Sequence, residues 1–156
     1  MTLLDRAPGR REPDTSPDGS GLSTVLAALC EQLGALPRDT DGIVRDGFLR
    51  LDAIDVGFEL DASAARLHIL ADCGRPAPRD EAVLYRTLLE RALAPGRLPV
   101  VFGLHPGSGT VVACASLELC QDELPSRAAA AVRHLATQAG TLRARFALRP
   151  LTQGYS

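Results

Sequence analysis

The residues best suited to catalysis lie in one short turn. His105 stands three positions before Ser108, so an imidazole base and a hydroxyl nucleophile could meet there, with Asp52 or Asp72 as the orienting acid. Ser108 belongs to a Gly-Ser-Gly sequence, which is not the G-x-S-x-G nucleophile elbow, and the residues after it favour a strand over a helix. A hairpin connection explains this turn more simply. We therefore expect no catalysis, and a hydrolase-like site near His105 and Ser108 is the less favoured alternative.

The cysteines, histidines and glycines form no cofactor-binding pattern. Cys114 and Cys120 are six residues apart, about 20 Å along an extended strand, too far for one metal ion to bind both. Gly103, Gly107 and Gly109 precede a predicted strand, so no helix N-terminus follows them to receive a phosphate. We expect reduced cysteines, no metal site and no cofactor.

Composition limits the remaining classes of protein. The chain has 156 residues, of which 46% are hydrophobic and 23% charged, as in a single folded domain. The chain has seventeen basic and nineteen acidic residues, which gives a net charge of -2 and argues against nucleic-acid binding. No apolar run is long enough to span a bilayer, and no signal peptide is evident. We predict a cytoplasmic protein without membrane insertion.

The elements that must position these residues alternate between two hydrophobic periods. Apolar residues recur every three or four positions in three segments, which is typical of helices that bury one face. In five other segments the apolar residues follow a period of two, which is typical of strands. We predict helices over 24–33, 81–93 and 125–146, and strands over 47–52, 54–61, 66–72, 98–104 and 111–117. This order, α-βββ-α-ββ-α, predicts an α+β domain with a twisted, mainly antiparallel sheet.

The two ends of the chain lack such patterns. Residues 1–20 combine prolines, glycines and charges of both signs, and they carry too little apolar surface to offset the entropy of ordering. We predict a disordered tail over 1–20, a domain over 21–147 whose first helix is capped by Ser23, and a flexible tail over 148–156.

The last two predicted strands are apolar on both faces. Val100 and Phe102 share one parity, whereas Val101, Val112 and Cys114 lie on the other. A strand pair of this kind must be covered on both sides. One small sheet with three helices offers little material for that, so we expect a partner subunit or a bound protein to cover one side.

Five segments together carry a resemblance to a known family. They read LSTVLAALCEQLGAL, GFLRLDAIDVGFELDASAARLHILADCG, EAVLYRTLLERAL, VVFGLHPGSGTVVACASLEL and PSRAAAAVRHLATQAGTLRARF. In order, spacing and residue texture, residues 22–147 resemble the type III secretion chaperones of the CesT/Tir-chaperone family. The resemblance implies a cytosolic homodimer that binds the N-terminal region of one or more effector proteins. It would keep them soluble and secretion-competent and deliver them to the secretion ATPase or its sorting platform.

The resemblance also implies two sets of contact residues. Those of the dimer interface would lie on the second predicted helix and the strand after it: Tyr85, Leu88, Leu89, Ala92, Leu93, Val100 and Phe102. Those of the effector-binding surface could equally belong to the core: Leu26, Leu29, Phe48, Leu49, Val101 and Val112. A dimeric regulator or scaffold with the same fold outside secretion is an alternative function.

Overall fold

A computed structural model of the chain describes residues 19–93 and 98–150. Its elements are α1 (Gly19–Leu33), α2 (Pro37–Asp46), β1 (Phe48–Leu51), β2 (Ile54–Asp61), β3 (Arg66–Gly74), a 3-10 turn (Pro78–Asp80), α3 (Glu81–Ala92), β4 (Val101–Leu104), β5 (Val111–Glu118) and α4 (Leu124–Phe146). The predicted α+β class is confirmed. The predicted element order is confirmed too, except that it lacked α2.

Helix α2 is the element that sequence periodicity missed. It begins with Pro37 in its first turn and ends at Gly47, whose φ of 70° permits a left-handed cap with its N–H bonded to the Ile43 carbonyl. Among the α2 side chains that the structure describes, the apolar ones packed against the core are Ile43 and Val44. Two adjacent apolar residues make no helical stripe, so periodicity predicted no helix between residues 33 and 47.

The five strands form one antiparallel sheet in the order β1-β2-β3-β5-β4. The predicted antiparallel sheet is therefore confirmed. Strands β1 and β2 are joined through Asp52 and Ala53, whose φ angles of 50° and 63° match the tight turn that suits twisted strands. Because β1 and β4 each pair on one side only, they form the two edges of the sheet.

The helices cover a single face of this sheet. Helix α4 packs across β2, β3 and β5, and α1 packs against α4. The predicted apolar stripe of α4 is buried as expected, with Val132, Leu135, Ala139 and Leu142 completely enclosed. Each such leucine or valine contributes about 1.5–3 kcal/mol by leaving water. Among residues 19–93 and 98–150, no helix packs on the opposite face, which we call the uncovered face of the sheet.

Both ends of the domain differ from the prediction. Helix α1 begins at Gly19, so Ser23 lies inside the helix and is not its cap. At the other end, Leu148 is buried and Arg149 forms a β-bridge with Arg75, so packing against the domain continues two residues beyond the predicted boundary at 147. The rest of the predicted tails, 1–18 and 151–156, lies outside the described residues.

Candidate protein-interaction surfaces

The turn that holds His105 and Ser108 closes a hairpin. The Ser108 hydroxyl lies 3.2 Å from His105 Nδ1 and 2.8 Å from the Thr110 hydroxyl. The Ser108 amide donates to His105 Nδ1, and the Thr110 amide donates to Ser108 Oγ. These bonds hold the turn together. They do not build a cleft, because His105 is exposed.

The proposed acids do not approach this turn. Asp72 accepts a hydrogen bond from the Gly74 amide and lies 3.7 Å from Arg143 Nη2, while Asp52 lies in the turn between β1 and β2. Within residues 19–93 and 98–150, no hydrogen bond or ion pair joins His105 to a carboxylate. The geometry therefore gives no support to the hydrolase alternative.

A second serine and histidine meet on the uncovered face of the sheet. Ser116 Oγ lies 2.7 Å from His68 Nδ1 across the β3–β5 pair, and His68 Nε2 lies 4.0 Å from Asp61 Oδ2. The order of groups is that of a hydrolase triad, but 4.0 Å is too long for the hydrogen bond that orients the imidazole. The sequence could not indicate this cluster, because its members are far apart along the chain and only the strand register brings them together.

All four cysteines are free thiols. Burial raises the pKa of Cys73 to about 12 and also raises the pKa values of Cys30 and Cys114. Thiols that are buried in this way react poorly. In the part of the chain that the structure describes, no three histidine, cysteine or acidic side chains converge as a metal site.

The first large apolar surface lies at the β4 edge. We call it the α3–β4 surface and define it by its exposed apolar side chains: Val83, Leu89, Leu93, Val101 and Leu104. Leu93 is 88% exposed and Leu89 71%, although both are large hydrophobic residues. Leu89 and Leu93 lie one helical turn apart, away from the buried Leu84 and Leu88. Isolated exposed leucines are ordinary, but two on successive turns of one helix beside an exposed strand edge are typical of an interface.

The predicted dimer residues divide between this surface and the core. Leu89, Ala92 and Leu93 are exposed, and Tyr85, Val100 and Phe102 are half-buried. Leu88, at 8% exposure, packs in the core beside Leu84, so it is not available to a partner as the prediction required. Helical spacing alone could not separate Leu88 from Leu89. Adjacent residues on a helix point only about 100° apart, so one broad apolar face includes both.

The predicted effector-binding residues divide in the same way. Leu26, Leu29 and Leu49 are buried in the chain's own core, with 1%, 0% and 6% exposure, which is the core placement that the sequence left open for them. Val112 is half-buried on the uncovered face. Phe48 and Val101 are exposed, but they lie on opposite edges of the sheet, in β1 and β4.

A groove of about 540 Å³ lies beside the β1 edge. We call it the α1–α2–β1 groove, and its walls come from the end of α1, from α2 and from β1: Cys30, Leu33, Gly34, Ala35, Arg38, Asp39, Gly42, Ile43, Asp46, Phe48, Leu49, Arg50 and Leu51. Its floor is apolar, and charged residues of both signs stand at the rim. The sequence did not predict this groove, because α2 forms one of its walls.

Strand β1 offers backbone groups to an incoming chain. The Phe58 amide donates to the Gly47 carbonyl at 3.0 Å, which fixes the phase of the β1–β2 ladder. Since bonded and non-bonded pairs alternate in an antiparallel ladder, the amides and carbonyls of Phe48 and Arg50 point away from β2. This edge can therefore accept a further strand.

An apolar row joins the two edges across the uncovered face. The strand register aligns Phe48, Gly57, Leu70, Cys114 and Val101, one residue from each strand. Glu59, His68 and Ser116 form the polar row beside it. The uncovered face is therefore apolar along one line and polar next to it.

Comparison with solved structures identifies this architecture. No protein-family model and no curated protein sequence matches the chain. A chain of the HopA1–SchA chaperone–effector complex superposes with a TM-score of 0.59 and 19% identity, over 81% of this chain and 98% of that one. A chain of the complex of the Yersinia pestis type III secretion chaperone SycH with a stable fragment of YscM2 gives 0.55 and 15%, over 78% and 98%. The protein has the fold of the type III secretion chaperones.

A third structure extends the comparison. A chain of the ExsC–ExsE complex matches with a TM-score of 0.55 and 19% identity, over 87% of this chain and 98% of that one. The type III secretion chaperone fold thus accounts for nearly the whole length of each matched chain, and the resemblance expected from the sequence is confirmed at the level of the fold. In this chaperone fold, no helix among the described residues is long and apolar enough to cross a membrane.

Proposed function

We propose that the protein is a type III secretion chaperone that binds the N-terminal region of one or more effector proteins. It works in the cytoplasm without catalysis or a cofactor, keeps its clients soluble and secretion-competent, and delivers them to the secretion ATPase or its sorting platform. The observation that carries this proposal is the fold match over 98% of each of three chains, two of them from complexes named as those of chaperones.

The α1–α2–β1 groove is the proposed effector-binding site. An extended client segment adds a strand to the Phe48 and Arg50 backbone, and alternate client side chains enter the groove. The apolar lining from Leu33, Ile43 and Phe48 favours large aliphatic client residues. Arg38 and Asp39 at the rim carry opposite charges, so client residues of either charge would find a partner there. This fits a site that accepts more than one client sequence.

The α3–β4 surface is the proposed dimer interface. Leu89, Leu93 and Val101 stand in water in the single chain, and burying each against a second copy would contribute roughly 1.5–3 kcal/mol. A twofold arrangement buries the same residues on both protomers, so the total surface area buried in the dimer is twice the area of the patch on one protomer. Tyr85, Ala92, Val100 and Phe102 would lie at the margin of this contact.

The test is affinity purification of the tagged full-length protein from its host bacterium, with mass spectrometry and light scattering. We expect a dimer of twice 16.5 kDa that carries the N-terminal regions of secreted proteins. The same clients should be depleted with a Phe48→Asp variant and retained with Ala130→Asp, which places the same charge at an exposed position of α4 outside both surfaces. Equal client recovery from both variants would contradict the groove assignment. A monomer that enriches no secreted protein over the Phe48→Asp control would overturn the function itself.

A further inference from the structure

Two arginines lie side by side where the residues just after α4 pair with the residue after β3. The Arg75 amide donates to the Arg149 carbonyl at 2.8 Å, and the Arg149 amide donates to the Arg75 carbonyl at 3.0 Å. Residues that exchange both hydrogen bonds in an antiparallel bridge present their side chains on the same side, with Cβ atoms about 5 Å apart. Both arginines are exposed. We call them the Arg75–Arg149 pair.

The surrounding structure fixes the position of this pair. Gly74 has a φ of 100°, and a Cβ there would lie 2.8 Å from the Arg149 carbonyl oxygen, so the close approach requires glycine. Leu148, next to Arg149, is buried. Arg143 ties the end of α4 to the sheet through hydrogen bonds to the Asp72, Cys73 and Ala53 carbonyls. The backbone below the pair is thus anchored on both sides.

In the described part of the chain, the carboxylates near the two arginines are already engaged. Residues 72–80 and 143–149 contain five arginines and two aspartates. Both aspartates are engaged, Asp72 with Arg143 and the Gly74 amide and Asp80 with Arg79. Among residues 19–93 and 98–150, no carboxylate pairs with Arg75 or Arg149.

Like charges directly opposite each other in a strand pair are destabilising. Arg145, also without an ion pair among the described residues, stacks 5.3 Å from the centre of the Phe146 ring and lies in the last turn of α4, where a cation is favourable. No such reason explains Arg75 opposite Arg149. A ligand with negative charge would relieve their repulsion.

We infer that the Arg75–Arg149 pair binds an acidic segment of a partner protein. A guanidinium pairs with a carboxylate through two parallel hydrogen bonds, so two neighbouring arginines can bind two carboxylates of one extended segment. The site is an exposed bridge outside the α1–α2–β1 groove, so it suits a surface segment and not an enclosed small molecule. In the described part of the chain, the aromatic ring closest in sequence to Arg149 is Phe146, which already stacks with Arg145, so the site does not resemble a base-stacking platform. This inference does not depend on the proposed chaperone function.

The test uses full-length protein and a labelled peptide of alternating glutamate and alanine, with fluorescence anisotropy at low salt. We expect Arg75→Gln with Arg149→Gln to weaken binding about tenfold, because two exposed but bidentate ion pairs are lost. The matched control, Arg79→Gln with Arg127→Gln, removes the same net charge from exposed positions and should change affinity less than about twofold. A glutamine–alanine peptide should not bind.

Several outcomes would overturn the inference. Equal losses in the two double variants would show that net charge alone attracts the peptide. Competition by inorganic phosphate at the same molar concentration as the peptide would assign a small-anion site instead, and tighter pair-dependent binding of a thymidine oligonucleotide would assign a nucleic-acid contact. If Glu12→Gln, Asp14→Asn and Asp18→Asn together raised peptide affinity tenfold, the chain's own acidic segment would be the occupant. Absence of peptide binding to the unmodified protein would refute the proposal directly.

Discussion

At the β1 edge of the sheet the exposed apolar side chains line a groove, whereas at the β4 edge they stand on open helix and strand surfaces. Phe48 at the first edge is 45% exposed beside a wall made by α2, while Leu93 near the second is 88% exposed. A groove with a free strand edge holds an extended chain, and a protruding apolar cluster meets another of the same shape. The two edges of one sheet are therefore suited to two different kinds of partner.

The difference originates in the connections that flank each edge strand. A ten-residue helix precedes β1, and the glycine after it turns the chain sharply, so α2 stays beside the strand and forms the wall of the groove. Before β4 the chain comes from α3, whose inner residues Leu84 and Leu88 are buried and whose outer residues Leu89 and Leu93 are not. The predictions below change one edge at a time and ask whether the other responds.

The largest effect is expected from charges in the α3–β4 surface. Leu89→Arg together with Leu93→Arg should convert the dimer into a folded monomer and raise the dimer Kd more than about 100-fold, because four like charges would face each other without partners. Both positions are exposed, so the monomer should lose less than about 1 kcal/mol of stability. Light scattering across a concentration series measures the association.

The control for this experiment is Phe48→Asp, which should leave the dimer mass unchanged because it lies on the other edge. A Leu88→Arg variant would not serve, since Leu88 is in the core and the charge would unfold the chain. A dimer of unchanged affinity in the Leu89/Leu93 double variant would show that the copies associate elsewhere.

The second prediction concerns the groove. Phe48→Asp should weaken binding of a client N-terminal segment by about tenfold or more, because a carboxylate in the apolar lining must be desolvated when the segment docks. Calorimetric titration with a client identified by co-purification measures this. Ala130→Asp, at an exposed position of α4, is the matched control, and a loss of similar size in that variant would show that the effect is not specific to the groove.

The third prediction uses the cysteines as reporters. With iodoacetamide at pH 8, exposed Cys120 should react first, half-buried Cys114 more slowly, and Cys73 more than about a hundredfold more slowly, since its pKa of about 12 leaves almost no thiolate. Cys114 lies opposite Val101 in the strand register, so a dimer formed at the β4 edge should shield it. Peptide mass spectrometry should find Cys114 about threefold faster in the monomeric double variant. An unchanged rate would place the β4 strand outside the interface.

The smallest effect is expected at Asp61, at the end of β2 between the two edges. Hydrogen bonds from the Ser63 hydroxyl and the Ala64 amide lower the pKa of this carboxyl below its ordinary value. Because the pKa is depressed on folding, its stabilisation is present above the unfolded pKa of about 3.9 and is lost as the pH falls through the folded value. Carboxyl NMR titration should show the lowered pKa in both the wild type and the Leu89/Leu93 double variant. A difference between them would mean that the interface extends to β2.

Sequence patterns predicted most of the elements correctly because each buries one face repeatedly. The stripe from Val132 to Leu142 and the alternation from Ile54 to Leu60 follow directly from the periods of a helix and a strand. Helix α2 was missed because capping and chain direction, not a stripe, define it. For Leu26, Leu29 and Leu49 the sequence left surface and core equally open, because periodicity shows which side of an element is apolar but not what covers that side.

The sequence by itself determined the class of fold, the antiparallel sheet, the main helical stripe and the presence of more apolar strand surface than one chain covers. These properties depend on local periodicity and composition, and both can be determined from the sequence alone. The tertiary structure alone decided that Leu88 is core while Leu89 is surface, that α2 walls a groove beside β1, and that Arg75 lies opposite Arg149. Each of these facts depends on which distant segments come into contact, because burial and charge pairing are set by tertiary contacts.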